Sequence, residues 1–182
     1  GLRNHTRVTG FERQDKIWRV SLLDTLSGET VILDTRCVVN ATGVWIDRLR
    51  DQALSAVGQS SGAFKESVAS HKPHTTTSMV RPSQGVHLVV DRQTFPLKQA
   101  VLVPKTSDGR VLFAVPWLGA TLIGTTDTPR DDAPTEPQAT PEELRFLFEQ
   151  TRISLGVTLR PEDVRSIWVG LRPLVNAQPQ NA

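Results

Sequence analysis

The sequence predicts an α+β fold built mainly from antiparallel strands. Three observations carry this expectation. Short apolar runs joined by turn residues fill the first third of the chain, a second set lies between Val86 and Ile123, and one strong helix start stands at Thr140-Pro141-Glu142-Glu143.

The elements follow in order. Val8 to Phe11, Ile17 to Leu23 and Glu29 to Leu33 read as strands. In the second, Ile17, Arg19 and Ser21 alternate with Trp18, Val20 and Leu22, the mark of a half-buried strand. Leu26-Ser27-Gly28 supplies the next turn, which completes an antiparallel meander. Cys37-Val38-Val39 reads as a short buried strand leading into Asn40-Ala41-Thr42-Gly43. From Trp45 to Val57 the spacing is helical, with Trp45, Leu49 and Ala53 on one face, and Gly58 to Gly62 ends the helix. His71 to Ser78 reads as a loop or edge strand. Val86 to Val90 is a strand. Ala100 to Val103 and Arg110 to Val115 flank a hairpin turn at Thr106-Ser107-Asp108-Gly109. The run from Val111 reads as two apolar strands joined near Pro116 to Gly119, ending in the polar cluster Thr125-Thr126-Asp127. Arg130 to Thr140 is a loop. The helix from Thr140 to about Leu155 turns Leu144, Leu147, Phe148 and Thr151 inward, and Pro161-Glu162-Asp163 makes a short turn. Ser166 to Val169 and Leu171 to Val175 read as strands broken at Gly170. The expected organisation is a β-meander, strand and helix over 1–60, a linker over 61–74, and a β-rich unit over 75–182.

Composition bounds the function. The 182 residues are 38% hydrophobic and 22% charged, which is globular, and the net charge of +2 gives no basic excess for nucleic acid. One cysteine, Cys37, allows no intrachain disulfide and no Cys-rich metal site, in keeping with a reducing compartment. The four histidines lack metal-ligand spacing, so no metal is expected. No run approaches the ~18 apolar residues of a membrane-spanning helix, which leaves peripheral contact open. Both ends look cut from mid-fold, so the chain is expected to be a central piece of a longer one.

Four groups of residues carry possible chemistry, each with a structural alternative. Val38 to Trp45 takes a strand through small residues into a helix start, where backbone amides can approach an anion; an ordinary tight turn would look the same. His87 lies on the opposite face from Val86, Leu88 and Val90, as a general base or a satisfied hydrogen bonder. Arg172 sits in an apolar run, where it holds an anion or a structural acid. Thr125 and Thr126 offer hydroxyls to a ligand, or merely open the loop that Asp127 caps.

In this order, these segments resemble the FAD-dependent glycerol-3-phosphate dehydrogenases, which belong to the superfamily of D-amino acid oxidase. The matching residues are Asn40-Ala41-Thr42-Gly43-Val44-Trp45, Gly85-Val86-His87-Leu88-Val89-Val90, Leu112-Phe113-Ala114-Val115-Pro116-Trp117, Ile123-Gly124-Thr125-Thr126-Asp127-Thr128 and Gly170-Leu171-Arg172-Pro173-Leu174. The resemblance spans nearly the whole chain. Its Pro-Trp and Gly-Thr-Thr-Asp segments are particular to the family, whereas Asn-Ala-Thr-Gly is shared across flavoproteins of the superfamily.

The resemblance implies oxidation of sn-glycerol 3-phosphate to dihydroxyacetone phosphate by hydride transfer to FAD, with electrons passed to quinone. A cytoplasmic location is expected, with room for peripheral contact at the inner membrane, and apolar surface exposed by a missing neighbouring domain leaves a homodimer open. Residues 1–60 would belong to an incomplete FAD-binding domain and 75–182 to a truncated substrate-binding domain. Val8 would touch the adenine end of FAD through its backbone, and Ala41, Thr42, Gly43 and Trp45 would contact the cofactor. His87 and Arg172 would be catalytic, His87 accepting the C2 hydroxyl proton and Arg172 holding the anion or polarising its oxygen. Thr125 and Thr126 would share substrate binding with Arg172. The Gly-x-Gly-x-x-Gly fingerprint is absent from the sequence and would precede Gly1, and a later basic segment would follow Ala182. These residues alone are therefore expected to hold FAD weakly or not at all and to be inactive. Two other readings stand beside this one. In an oxidase of an amine or 2-hydroxy acid, Arg172 would grip a carboxylate, though Gly-Thr-Thr-Asp argues against it. In a non-catalytic β-rich binding module, His87, Arg172 and Thr125 need not converge.

Overall fold

A computed structural model describes residues 1–60, 78–106 and 108–176. The linker expected over 61–74 and the polar stretch from His71 through residue 77 lie outside the described residues. The fold is α+β, and the chain forms two compact units, Gly1–Met79 and Val80–Ala182.

The first unit opens with β1 (Thr6–Gln14), β2 (Ile17–Asp24) and β3 (Thr30–Thr35), an antiparallel meander in that order. The strands run further than the apolar residues alone suggest, because backbone pairing continues through polar positions: Gln14 pairs with Ile17 and Trp18 with Thr35. The Asp24 carboxylate accepts the amides of Leu26 and Ser27 at 2.8 and 3.0 Å, and Gly28 takes φ +78°, which together set the second turn.

The expected strand Cys37-Val38-Val39 is not one. The three residues are exposed, Val39 to 83%, and pair with no described strand. An apolar triplet needs neighbours on both edges to become a buried strand, and the described residues supply none. The chain then turns at Asn40. Its Nδ2 donates to Ile46 O (2.9 Å) and its Oδ1 accepts the Thr42 hydroxyl (2.8 Å). A 3-10 turn over Gly43–Trp45 leads into α1 (Ile46–Ser60). Leu49, Ala53 and Val57 of α1 face Phe11 and Trp18 across an apolar hollow of about 270 Å³.

The second unit is a six-stranded antiparallel sheet with one helix. Its strands are β4 (Val80–Asp91), β5 (Val101–Val103), β6 (Leu112–Trp117), β7 (Ala120–Gly124), β8 (Thr128–Pro129) and β9 (Val164–Val175). The order is β5-β6-β7-β4, with β8 continuing beside β4 on the β7 side and β9 pairing along its other edge. β6 and β7 turn through Leu118 and Gly119, both at positive φ (+46° and +84°), the geometry whose twist suits a two-residue hairpin. β9 is continuous. Gly170 does not break it, because it pairs with Gly85 of β4 in unbroken register.

α2 (Pro141–Leu155) begins with a capping box. Thr140 Oγ1 accepts the Glu143 amide at 3.2 Å, Glu143 Oε2 accepts the Thr140 amide at 2.9 Å, and Pro141 fills the first turn. Gly156, left-handed at φ +71°, ends the helix. Leu147 buries itself against Val86, Leu88, Val90, Leu112, Ala114 and Ile123, all fully buried. Leu144 and Phe148 pack at the margin of this core, and Thr151 is buried with its hydroxyl bonded to Leu147 O.

Candidate functional site

The site is built on β4. Strand alternation sends Val86, Leu88 and Val90 into the core and turns Gly85 and His87 to the opposite face. His87 pairs with Gly124 of β7, and its imidazole occupies the space a side chain there would fill: a Cβ on Gly124 would stand 2.8 Å from His87 Cγ. The ring of Phe113, from β6, lies 5.5 Å from the imidazole at a 41° tilt.

Arg172 comes from β9, on the far edge of β4. Its side chain crosses β4 over Gly85, where a Cβ would lie 2.7 Å from the guanidinium carbon. Beyond Gly85 the chain kinks between β7 and β8, and that kink receives the guanidinium. Nη2 donates to the Thr125 hydroxyl, Nη1 donates to Thr126 O at 3.2 Å, and Asp127 Oδ1 stands 3.6 Å from Nη1. The Ser83 hydroxyl donates to the Asp127 carboxylate. The kink includes a cis peptide between Gly124 and Thr125.

His87, Arg172 and Thr125 therefore meet on one face of one sheet. The electrostatics follow from the packing. Burial disfavours the imidazolium, and the Arg172 charge opposes it further, so the His87 pKa falls below its ordinary 6.5. The imidazole is neutral at pH 7 and able to take a proton. Arg172 keeps about a third of its side chain exposed and so remains accessible to an anion.

Thr126 departs from expectation. Its side chain is fully buried on the core side of the kink, where Oγ1 accepts the Val86 amide at 3.0 Å and lies 3.2 Å from Glu143 Oε1. Its hydroxyl therefore does not open onto the face that carries Arg172; it contributes its carbonyl instead. Four residues around the kink carried no functional reading from the sequence: Ser83, Gln84, Gly85 and Glu143. Gly85 could have been suspected, since glycine inside a strand marks a close approach.

The expected cofactor residues lie in the first unit. Val8 is half-buried in β1, Thr42 is half-buried, and Ala41 and Gly43 are exposed. Gly43 takes φ +60° with open space where a Cβ would stand, and Trp45 closes the 3-10 turn at 39% exposure. Small exposed residues at the entrance to a fifteen-residue helix fit close backbone approach by an anionic cofactor such as FAD. Among the described residues no cluster of three or more histidines, cysteines or acids could hold a metal.

The chain is similar to known proteins over nearly its whole length. The aerobic glycerol-3-phosphate dehydrogenase of Staphylococcus haemolyticus is 33% identical over 175 residues, covering 94% of this chain and 28% of that protein. The corresponding protein of Staphylococcus saprophyticus is also 33% identical over the same shares. The crystal structure of the glycerol-3-phosphate dehydrogenase from Bacillus halodurans complexed with FAD superposes with a TM-score of 0.77 at 33% identity, covering 96% of this chain and 32% of that one. The chain thus spans less than a third of the length of these relatives. The family model of FAD-dependent oxidoreductases, DAO, matches residues 1–181, and the chain belongs to that family.

Proposed function

We propose that the protein containing this chain oxidises sn-glycerol 3-phosphate to dihydroxyacetone phosphate with FAD as cofactor. The carrying observation is the convergence of the Arg172 guanidinium, the neutral His87 imidazole and the Thr125 hydroxyl on one sheet face. The names of the relatives support the choice of substrate.

Each residue has a part that follows from its chemistry. Arg172 offers two N–H groups to the substrate's phosphate or to its C2 oxygen, and its docking on Thr125 and Thr126 fixes the direction they point. His87 takes the proton of the C2 hydroxyl, a role open to it because it is unprotonated at pH 7. Phe113 shields one side of the imidazole from water. Ala41, Thr42, Gly43 and Trp45 hold FAD, and Val8 contributes a backbone contact. FAD, when bound, supplies the acceptor for the two electrons and the hydrogen lost from C2. In this reading, 1–60 serves the cofactor, 61–74 links, and 75–182 serves the substrate. Electrons pass on to a quinone, and the protein works in the cytoplasm or on the inner membrane surface. No described helix is long and apolar enough to cross a membrane.

The test is anaerobic mixing of the holoenzyme with single substrates. Glycerol 3-phosphate should bleach the flavin absorbance, while glycerol, lactate and an amino acid leave it unchanged. Bleaching by lactate or the amino acid alone would replace this reading with a carboxylate-directed oxidase, and no bleaching by any of them would favour a binding module.

A further inference from the structure

Glu143 is an acid in an unusual place. It sits in the first turn of α2, is only 4% exposed, and points at the sheet rather than at solvent. Each carboxylate oxygen takes two donors. Oε2 accepts the Thr140 amide (2.9 Å) and Gln84 Nε2 (2.7 Å); Oε1 accepts the hydroxyls of Thr128 (2.7 Å) and Thr126 (3.2 Å). Burial alone would raise its pKa, but the four donors outweigh it and hold the group below its ordinary value, so it stays ionised.

A capping box needs only the Thr140 bond. The other three bonds go to Gln84 of β4, to Thr128 of β8 and to Thr126, inside the kink that receives Arg172. Their polarity is fixed from outside. Arg130 Nη1 donates to Gln84 Oε1 at 3.2 Å and Gln84 Nε2 also donates to Gln138 O at 2.9 Å, so the Gln84 amide cannot turn around. The Thr126 hydroxyl accepts the Val86 amide and turns its proton toward Glu143 Oε1 at 3.2 Å, with Gln84 O at 3.4 Å as a second acceptor. The carbonyl of the same Thr126 accepts from both Arg172 and Thr125. One residue, Thr126, thus joins the buried carboxylate beneath the sheet to the guanidinium above it.

We infer that Glu143 is a positioning residue for the anion-binding guanidinium, acting through Thr126. It touches neither Arg172 nor the open face. By anchoring the Thr126 side chain it fixes the carbonyl and the Thr125 hydroxyl on which Arg172 rests. The inference rests on the proposed function only in that Arg172 binds an anion.

The test uses the holoenzyme and inorganic phosphate as probe, with its dissociation constant measured by titration calorimetry. Glu143→Gln keeps the shape but reverses the hydrogen bond to Thr126; Thr126→Val keeps the volume but removes the link. Each should weaken phosphate binding by about three- to tenfold, the worth of one hydrogen bond. Because both act on one path, the double variant should bind phosphate no worse than Thr126→Val alone. Thr128→Val removes another Glu143 partner. It should lower Tm yet leave phosphate affinity within about twofold of wild type, well short of a lost bond. Multiplying effects in the double variant, an unchanged affinity in Glu143→Gln, a Thr128→Val loss equal to that of Glu143→Gln, or wild type that binds no phosphate would each overturn the inference. Flavin bleaching by glycerol 3-phosphate in wild type is scored separately, so failure of the substrate reading is recognised apart from failure of the Glu143 path.

Discussion

The two faces of β4 divide the work of the second unit between alternate residues of one strand. Val86, Leu88 and Val90 are fully buried beneath α2, while Gly85 and His87, between and beside them, face away from that core. On the buried face the positions from Val86 to Val90 are apolar and filled, and Gln84 before them is polar but fully hydrogen-bonded. On the other, two glycines, Gly85 and Gly124, leave the space that Arg172 and His87 occupy. A strand can therefore secure the fold with one set of residues and hold reactive groups with the next, provided the second face gives up side-chain volume at chosen points.

Four substitutions or titrations probe that division. Arg172→Met should have the largest effect on chemistry, lowering kcat/KM by the equivalent of about 2–5 kcal/mol, as for loss of a charge that pairs with a bound anion. Its Tm should move little, because the partner Asp127 is 58% exposed and hydrates when released. Leu88→Ala should do the reverse, costing about 2–5 kcal/mol of stability in urea denaturation with KM unchanged in the folded fraction. A several-fold rise in KM there would mean the two faces are not separable.

Gly85→Ala probes the boundary between them. The new methyl would collide with the end of a flexible side chain, not with backbone. The guanidinium should swing aside, raising KM about tenfold or more, in line with one charged hydrogen bond lost. Tm should stay level or rise slightly, since alanine suits a strand interior better than glycine. A fall in Tm with KM unchanged would show that Arg172 does not rest there.

The smallest effect concerns His87. Its folded-state pKa lies below 6.5, so on acidification the unfolded chain takes up a proton before the folded one. Its contribution to stability is present above pH 6.5 and is lost as pH falls through the folded value. An NMR titration of the imidazole should give a midpoint below 6.5 in wild type that moves upward in Arg172→Met, where the repelling charge is gone. A wild-type midpoint at or above 6.5 would show that the imidazole is solvated.

Much of this arrangement was legible in the residues. The meander, the β6–β7 hairpin and the capped helix each carry local signals, and local hydrogen bonds satisfy them: Thr140 and Glu143 are three positions apart. The alternation about His87 placed it correctly on the face away from Val86 and Leu88. What remained hidden depends on distant partners. Glu143 reads as a cap until Gln84, 59 positions away, comes to meet it. Gly170 reads as a strand break because its pairing with Gly85 is invisible locally. Thr125 and Thr126 look alike in sequence, and only the kink sends one hydroxyl up and the other down. Cys37-Val38-Val39 announces a wish for burial but not what would bury it.

The central place of β4 has one more effect. Its backbone is paired along one side by β9 and along the other by β7 and β8, so its amides are among those expected to exchange with solvent most slowly in this unit. Of the residues that would grip a ligand, His87 rides on this protected element, whereas Arg172 stands on β9, which pairs with β4 alone among the described strands. A ligand held by both ties that outer strand to the centre of the sheet, so occupancy resists fraying there and shifts the unfolding curve with ligand concentration.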